Sequence, residues 1–152
     1  MVTGYINENV IIQRALWISQ MIDALKDLPI ENRENFFQNK HNIAAAESYV
    51  RRALEALFDI GRHILAKRFA FPASEYKEIV TGLFERQVIE EKDADLMKKM
   101  AGYRNRMVHF YHEISPEELH EICLKHIDEI KQLLECLIKW IKEDKEKNRS
   151  QK

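Results

Sequence analysis

A chain of 152 residues is about one domain long and can bury one ordinary core. With 45% hydrophobic and 32% charged residues it lies outside disordered compositions, and no apolar run approaches the roughly 20 residues of a membrane span. A formal charge of −1 excludes gripping nucleic acid along a broad basic face, so any RNA contact must come from a few cations around a site.

The N-terminus lacks a signal-peptide apolar segment, and a cytoplasmic location is expected. Only four Gly and three Pro occur, which favours long, uninterrupted helices. The first segment runs from about Asn9 to Leu28, with Ile11, Ala15, Ile18, Ile22 and Leu25 on one face, and Pro29 ends it. Phe36 and Phe37 follow a polar stretch and belong to no patterned element. The second segment, Asn42 to Arg68, carries Val50, Ala53, Leu54, Leu57, Ile60, Ile64 and Leu65. Gly61 inside it costs roughly 1 kcal/mol relative to Ala, which a close helix approach or a bend would explain. Phe71-Pro72 stops this helix, and Ser74 is the expected N-cap of the next.

A third segment, Glu75 to Arg86, presents Tyr76, Ile79, Val80, Leu83 and Phe84. The fourth starts among Glu90, Glu91 and Asp93, acids suited to a helix N-terminus, and runs through Leu96, Met97, Met100 and Ala101 into Arg104. The last opens with Ser115-Pro116-Glu117-Glu118, a capping box, and repeats Leu119, Ile122, Ile127, Ile130, Leu133, Leu134, Leu137 and Ile141 for about eight turns. Residues 143–152 read as a polar, solvated helix end. Cys123 and Cys136, roughly 20 Å apart on one helix, are too far apart for a disulfide and suit a reducing compartment. No stretch alternates as a strand would. The expected fold is all-α, a single domain over 1–152, an up-and-down bundle of about five helices.

Chemistry concentrates in Tyr103-Arg104-Asn105-Arg106-Met107-Val108-His109-Phe110-Tyr111-His112-Glu113. Cutting RNA without a metal needs a base for the ribose 2′-hydroxyl, a cation for the charged phosphorane and a group that positions the phosphate. Histidine suits the first and arginine the second. Residues five apart on a straight helix point about 140° away from each other. Arg104 and His109 therefore share a site only if the helix breaks near 108–110 or if two subunits combine across a two-fold axis.

The run from Arg104 to Tyr111 matches Arg-x-x-x-x-His-x-Tyr, and the chain resembles the HepT-like toxins of the HEPN superfamily. The likeness extends to the helix from Ala44-Ala45-Ala46-Glu47 through Ile64-Leu65, to chain length and to the helical plan. It implies a homodimer whose two Arg/His motifs face each other and cut RNA with no metal and no cofactor. By the same resemblance His109 is the general base, Arg104 stabilises the transition state and Asn105 positions RNA or the catalytic pair. The implied partner is a nucleotidyltransferase of the MNT type, an antitoxin that transfers AMP to Tyr111.

Other readings of the same residues stand beside these. Arg104 and His109 could be helix-end cations, and Tyr111 a core-edge tyrosine. Arg106 either helps with phosphate, a weak RNA contact, or simply solvates the helix end. His109, His112 and Glu113 as metal ligands lack a further ligand nearby. His63, His120 and His126 read as structural. Arg51-Arg52 and Lys98-Lys99 could guide RNA or be solvated faces. A different class of function is a non-catalytic nucleotide-binding or adaptor subunit of the transferase.

Overall fold

The computed structural model describes residues 4–108 and 114–150 and is all-helical over them. Seven helices occur among the described residues: α1 (Glu8–Lys26), α2 (Arg33–Gln38), α3 (Lys40–Phe69), α4 (Tyr76–Glu85), α5 (Glu91–Val108), α6 (Pro116–Lys125) and α7 (Ile127–Ser150). Four match the expected segments to within a few residues.

The count exceeds five for two reasons. Phe36 and Phe37 sit on α2, a short helix capped by Asn32, whose side chain accepts the Asn35 N–H at 3.1 Å. Phe36 is wholly buried and meets Phe37 edge-on and the His120 ring at 5.0 Å. Such burial contributes about 2–3 kcal/mol, enough to hold a two-turn helix that would not form alone. The long final segment is also two helices, because His126 leaves helical geometry at φ −117, ψ 0. Its ring engages Glu129, while the apolar spacing continues across the break, so periodicity alone could not show it. Ser115 caps α6 as expected, accepting the Glu118 N–H at 3.1 Å. Glu75 rather than Ser74 caps α4, in a reciprocal box with Glu78. Before it, α3 ends at Ala70 in the left-handed region, with the Phe71 N–H bonded to the Leu65 carbonyl at 3.0 Å.

Helix α3 is the centre of the molecule and touches all the other described helices. Its inner face buries Val50, Ala53, Leu54, Leu57, Phe58, Ile60, Ile64 and Leu65. Gly61 serves a close approach, not a bend. A Cβ there would lie 2.9 Å from Ile79 Cγ2 and 3.1 Å from Leu83 Cδ1, both on α4. Gly82 of α4 answers it, since a Cβ there would lie 3.0 Å from Leu65 Cδ1.

The polar end of α7 does more than meet solvent. Asp144 pairs at 2.6 Å with Arg68, which is 4% exposed and also donates to the Gly4 carbonyl and to Asn148. The three histidines singled out as structural have structural partners. His120 is buried with Nε2 2.7 Å from the Ile30 carbonyl oxygen, and His63 Nε2 accepts the Asn7 N–H at 3.0 Å. Both cysteines are free, and burial pushes their thiols up to about 12 at Cys123 and about 11 at Cys136. They stay protonated and inert near neutral pH. Among the described residues no helix is long and apolar enough to cross a membrane.

Three outcomes follow from these environments. Gly61→Ala should lower stability in urea unfolding by about 1–3 kcal/mol through overpacking. Gly102→Ala, where a Cβ meets nothing within 4 Å, should raise it, by up to about 1 kcal/mol. Burial, helped by the charges of Lys67 and Arg14, lowers the His63 pKa below its ordinary 6.5. The unfolded chain then takes up this proton more readily than the folded one. Stability from the neutral ring is complete above about pH 6.5 and drains as pH falls from there toward the lower folded value. His63→Gln should lose less stability than wild type between about pH 7.5 and about 5.5, measured by urea unfolding.

Candidate active site

Arg104 and Asn105 lie near the C-terminal end of α5, at an open cleft of about 700 Å³ lined also by Glu55, Asp59 and Arg62 of α3 and by Tyr76 at the start of α4. Three neighbours orient the Arg104 guanidinium. Its Nη2 donates to Glu55 Oε2 at 3.0 Å, its plane lies over the Tyr76 ring at 4.7 Å, and Nη1 donates to Asn105 Oδ1 at 3.4 Å. Tyr76 is itself stacked on buried Phe58, with centroids 4.5 Å apart and planes 6° from parallel. Burial raises the Tyr76 phenol above the ordinary tyrosine value, against the pull of Arg104, so the ring stays neutral under the cation. The Arg104 side chain is 25% exposed, and its Nε is buried without a hydrogen-bond partner among the described residues. A buried donor left open beside a cleft is suited to an acceptor from outside the fold.

Helical spacing explains the wall of the cleft. Glu55, Asp59 and Arg62 recur at i, i+4 and i+7 on α3, one face of the helix, while Leu54, Leu57 and Phe58 face the core. Each carboxylate is shared. Glu55 also accepts from Arg51 at 2.8 Å, and Asp59 takes Arg62 at 2.9 Å and lies 3.3 Å from Arg14.

The remaining expected site residues divide as follows. Arg106 does not simply solvate the helix end: its guanidinium pairs with the carboxylate of Glu118, with Nη1 at 2.8 Å and Nη2 at 2.5 Å. This joins the end of α5 to the start of α6. Glu118 was expected to complete the capping box, and its carboxylate instead takes the arginine. Helix α5 is described through Val108. His109, Tyr111, His112 and Glu113 lie outside the described residues. Of the doublets, Arg51 and Lys99 are engaged by Glu55 and Glu129, and Arg52 is exposed. The reading of the sequence missed Glu55 and took Tyr76 only as a core position. Glu55 is 49 residues from Arg104 along the chain, and no local pattern links them.

Comparison with known proteins fits this geometry. A family model described as ribonuclease HepT-like matches residues 18–137. The chain belongs to the HepT-like family. It is 28% identical over 89 residues to the mRNA nuclease HepT of Shewanella oneidensis, a region covering 58% of this chain and 66% of that protein. Solved structures agree at the level of the fold. One is a tri-AMPylated Shewanella oneidensis HEPN toxin in complex with an MNT antitoxin, with a TM-score of 0.75 at 22% identity over 84% of this chain and 96% of that one. Another is a toxin–antitoxin crystallised with AMP-PNP, with a TM-score of 0.74 at 22% identity over 84% of this chain and 97% of that one. The HEPN-like helical fold expected from the sequence is thus present.

Proposed function

We propose that this HepT-like chain is a metal-independent endoribonuclease, the toxin of an HEPN/MNT pair, acting in the cytoplasm as a homodimer. The observation that carries it is the fixed Arg104 guanidinium, oriented by Glu55, Tyr76 and Asn105 at an open cleft. The family match and the name of the Shewanella relative support the choice of RNA as substrate.

In this reading His109 takes the proton of the ribose 2′-hydroxyl as general base. The 2′-oxygen attacks phosphorus, the bond to the 5′-oxygen breaks, and the products carry a 2′,3′-cyclic phosphate and a 5′-hydroxyl. Arg104 stabilises the charge that builds on the phosphorane, where a fixed cation acts most strongly. Asn105 positions the phosphate or the arginine. The proton held by His109 passes to the departing 5′-oxygen, so the displacement balances with two side chains and the substrate's own hydroxyl. Dimerisation brings two copies of the motif to one cleft. The cognate transferase silences the enzyme by adding AMP to Tyr111, whose bulk and negative charge would block RNA and occupy the arginines.

Expression in a bacterium tests the assignment. Wild type should arrest growth and degrade RNA, and His109→Ala should do neither; equal toxicity of the two would defeat it. Glu55→Gln keeps an acceptor for Arg104 but removes the charge. On a fluorogenic oligoribonucleotide it should lower kcat by about tenfold, because orientation loosens, and lower KM, because more of the arginine's charge reaches phosphate. After co-expression with the transferase, intact mass should rise by whole adenylate units, and Tyr111→Phe should abolish the increments. Sedimentation at micromolar concentration should give a dimer.

A further inference from the structure

A second cleft, of about 350 Å³, adjoins the first. It lies between α1 and α3 and is lined by Gln13, Arg14, Trp17 and Arg52 together with Glu55, Ala56 and Asp59. Glu55 and Asp59 line both clefts, so one wall of α3 separates the two spaces.

The charges around that wall do not balance. Glu55 serves Arg51 and Arg104, and Asp59 serves Arg62 and Arg14, so two carboxylates face four guanidiniums. Arg14 Nε stands at ion-pair distance from Asp59 yet is buried without a hydrogen-bond partner among the described residues. Arg52 is exposed and has no ion-pair partner among the described residues. The surplus is positive on a chain whose formal charge is −1, so it is local to this face. Beside it, Trp17 is 38% exposed and has no ring partner among the described residues. Trp140, the other tryptophan, packs at 5.9 Å from the Phe69 ring. An exposed indole next to under-satisfied guanidiniums suits a base and its flanking phosphates in a single strand.

We propose that the α1–α3 cleft is a nucleotide subsite for single-stranded RNA next to the cleavage cleft, where Trp17 stacks one base and Arg14 and Arg52 take flanking phosphates. The proposal rests on the nuclease reading and extends it. Since Glu55 and Asp59 border both clefts, a strand held at the subsite passes along α3 to Arg104. The enzyme therefore grips RNA beyond the scissile bond without a basic surface. Duplex RNA, whose bases are already stacked, cannot offer one to Trp17.

The test uses the full-length protein and a 2′-O-methyl oligoribonucleotide of about ten residues, which binds but cannot be cut, within the span of single-strand sites. Wild type should bind it with quenching of tryptophan emission, and the matching duplex should not quench. Trp17→Ala should retain only unquenched Trp140 emission and bind at least about fivefold more weakly. Arg52→Ala, at an exposed and unpaired position that the fold does not need, should weaken binding and reduce the slope of log affinity against log salt by about 0.7. Lys142→Ala on α7, outside both clefts, makes the same charge change and should leave the slope as it is. Affinity and slope unaltered in Arg52→Ala and Trp17→Ala, in a protein that still cuts RNA, would overturn the subsite and leave the nuclease standing. Wild type that neither binds nor cuts RNA would overturn both.

Discussion

The site depends on how closely α3 and α4 pack. Gly61 and Gly82 face each other's helix: a Cβ at Gly61 would lie 2.9 Å from Ile79 and force a shift, and one at Gly82 would lie 3.0 Å from Leu65, which would have to give way. This approach brings the first residue of α4, Tyr76, flat against Phe58 of α3 and under the Arg104 guanidinium. A helix held further away would leave Arg104 with Glu55 and the long bond to its neighbour Asn105. A long side chain tethered at one point keeps much of its rotamer freedom, whereas an ion pair and an aromatic plane together fix both place and tilt.

Electrostatics on this face work by shortage. Near-neutral overall charge suggests little affinity for a polyanion, yet the acids are distributed unevenly. On α3 two carboxylates hold four arginines in place without neutralising them. Paired arginines stay pre-oriented and still carry surplus charge, a condition suited to a fixed phosphate site. The two arginines of the motif diverge in role. Arg106 is committed to Glu118 and ties α5 to α6 across the segment that contains His109, while Arg104 faces the cleft.

Elsewhere the polar groups that look reactive in the sequence hold the frame. His120 sits between Phe36 and Phe37 and bonds the Ile30 carbonyl, so it joins α6 to the α1–α2 connection and to α2. Arg68 joins the N-terminal residues, the end of α3 and the polar end of α7 through Gly4, Asp144 and Asn148. A buried guanidinium is tolerated there because Asp144 pairs with its charge and both terminal nitrogens donate hydrogen bonds. Each contact joins segments far apart in the chain.

The sequence by itself determined the all-helical class, four of the helices, the cap at Ser115 and the motif from Arg104 to Tyr111. All of these are local: apolar periodicity, capping residues and motif spacing act within a few turns. Tertiary structure alone decided that Phe36 nucleates α2, that the last segment divides at His126, and that Gly61 marks a crossing. It also decided that Glu55 and Tyr76 orient Arg104, and that Arg106 belongs to Glu118. Those outcomes depend on which side chains meet once helices pack, and pairings across dozens of residues leave no periodic trace in the chain.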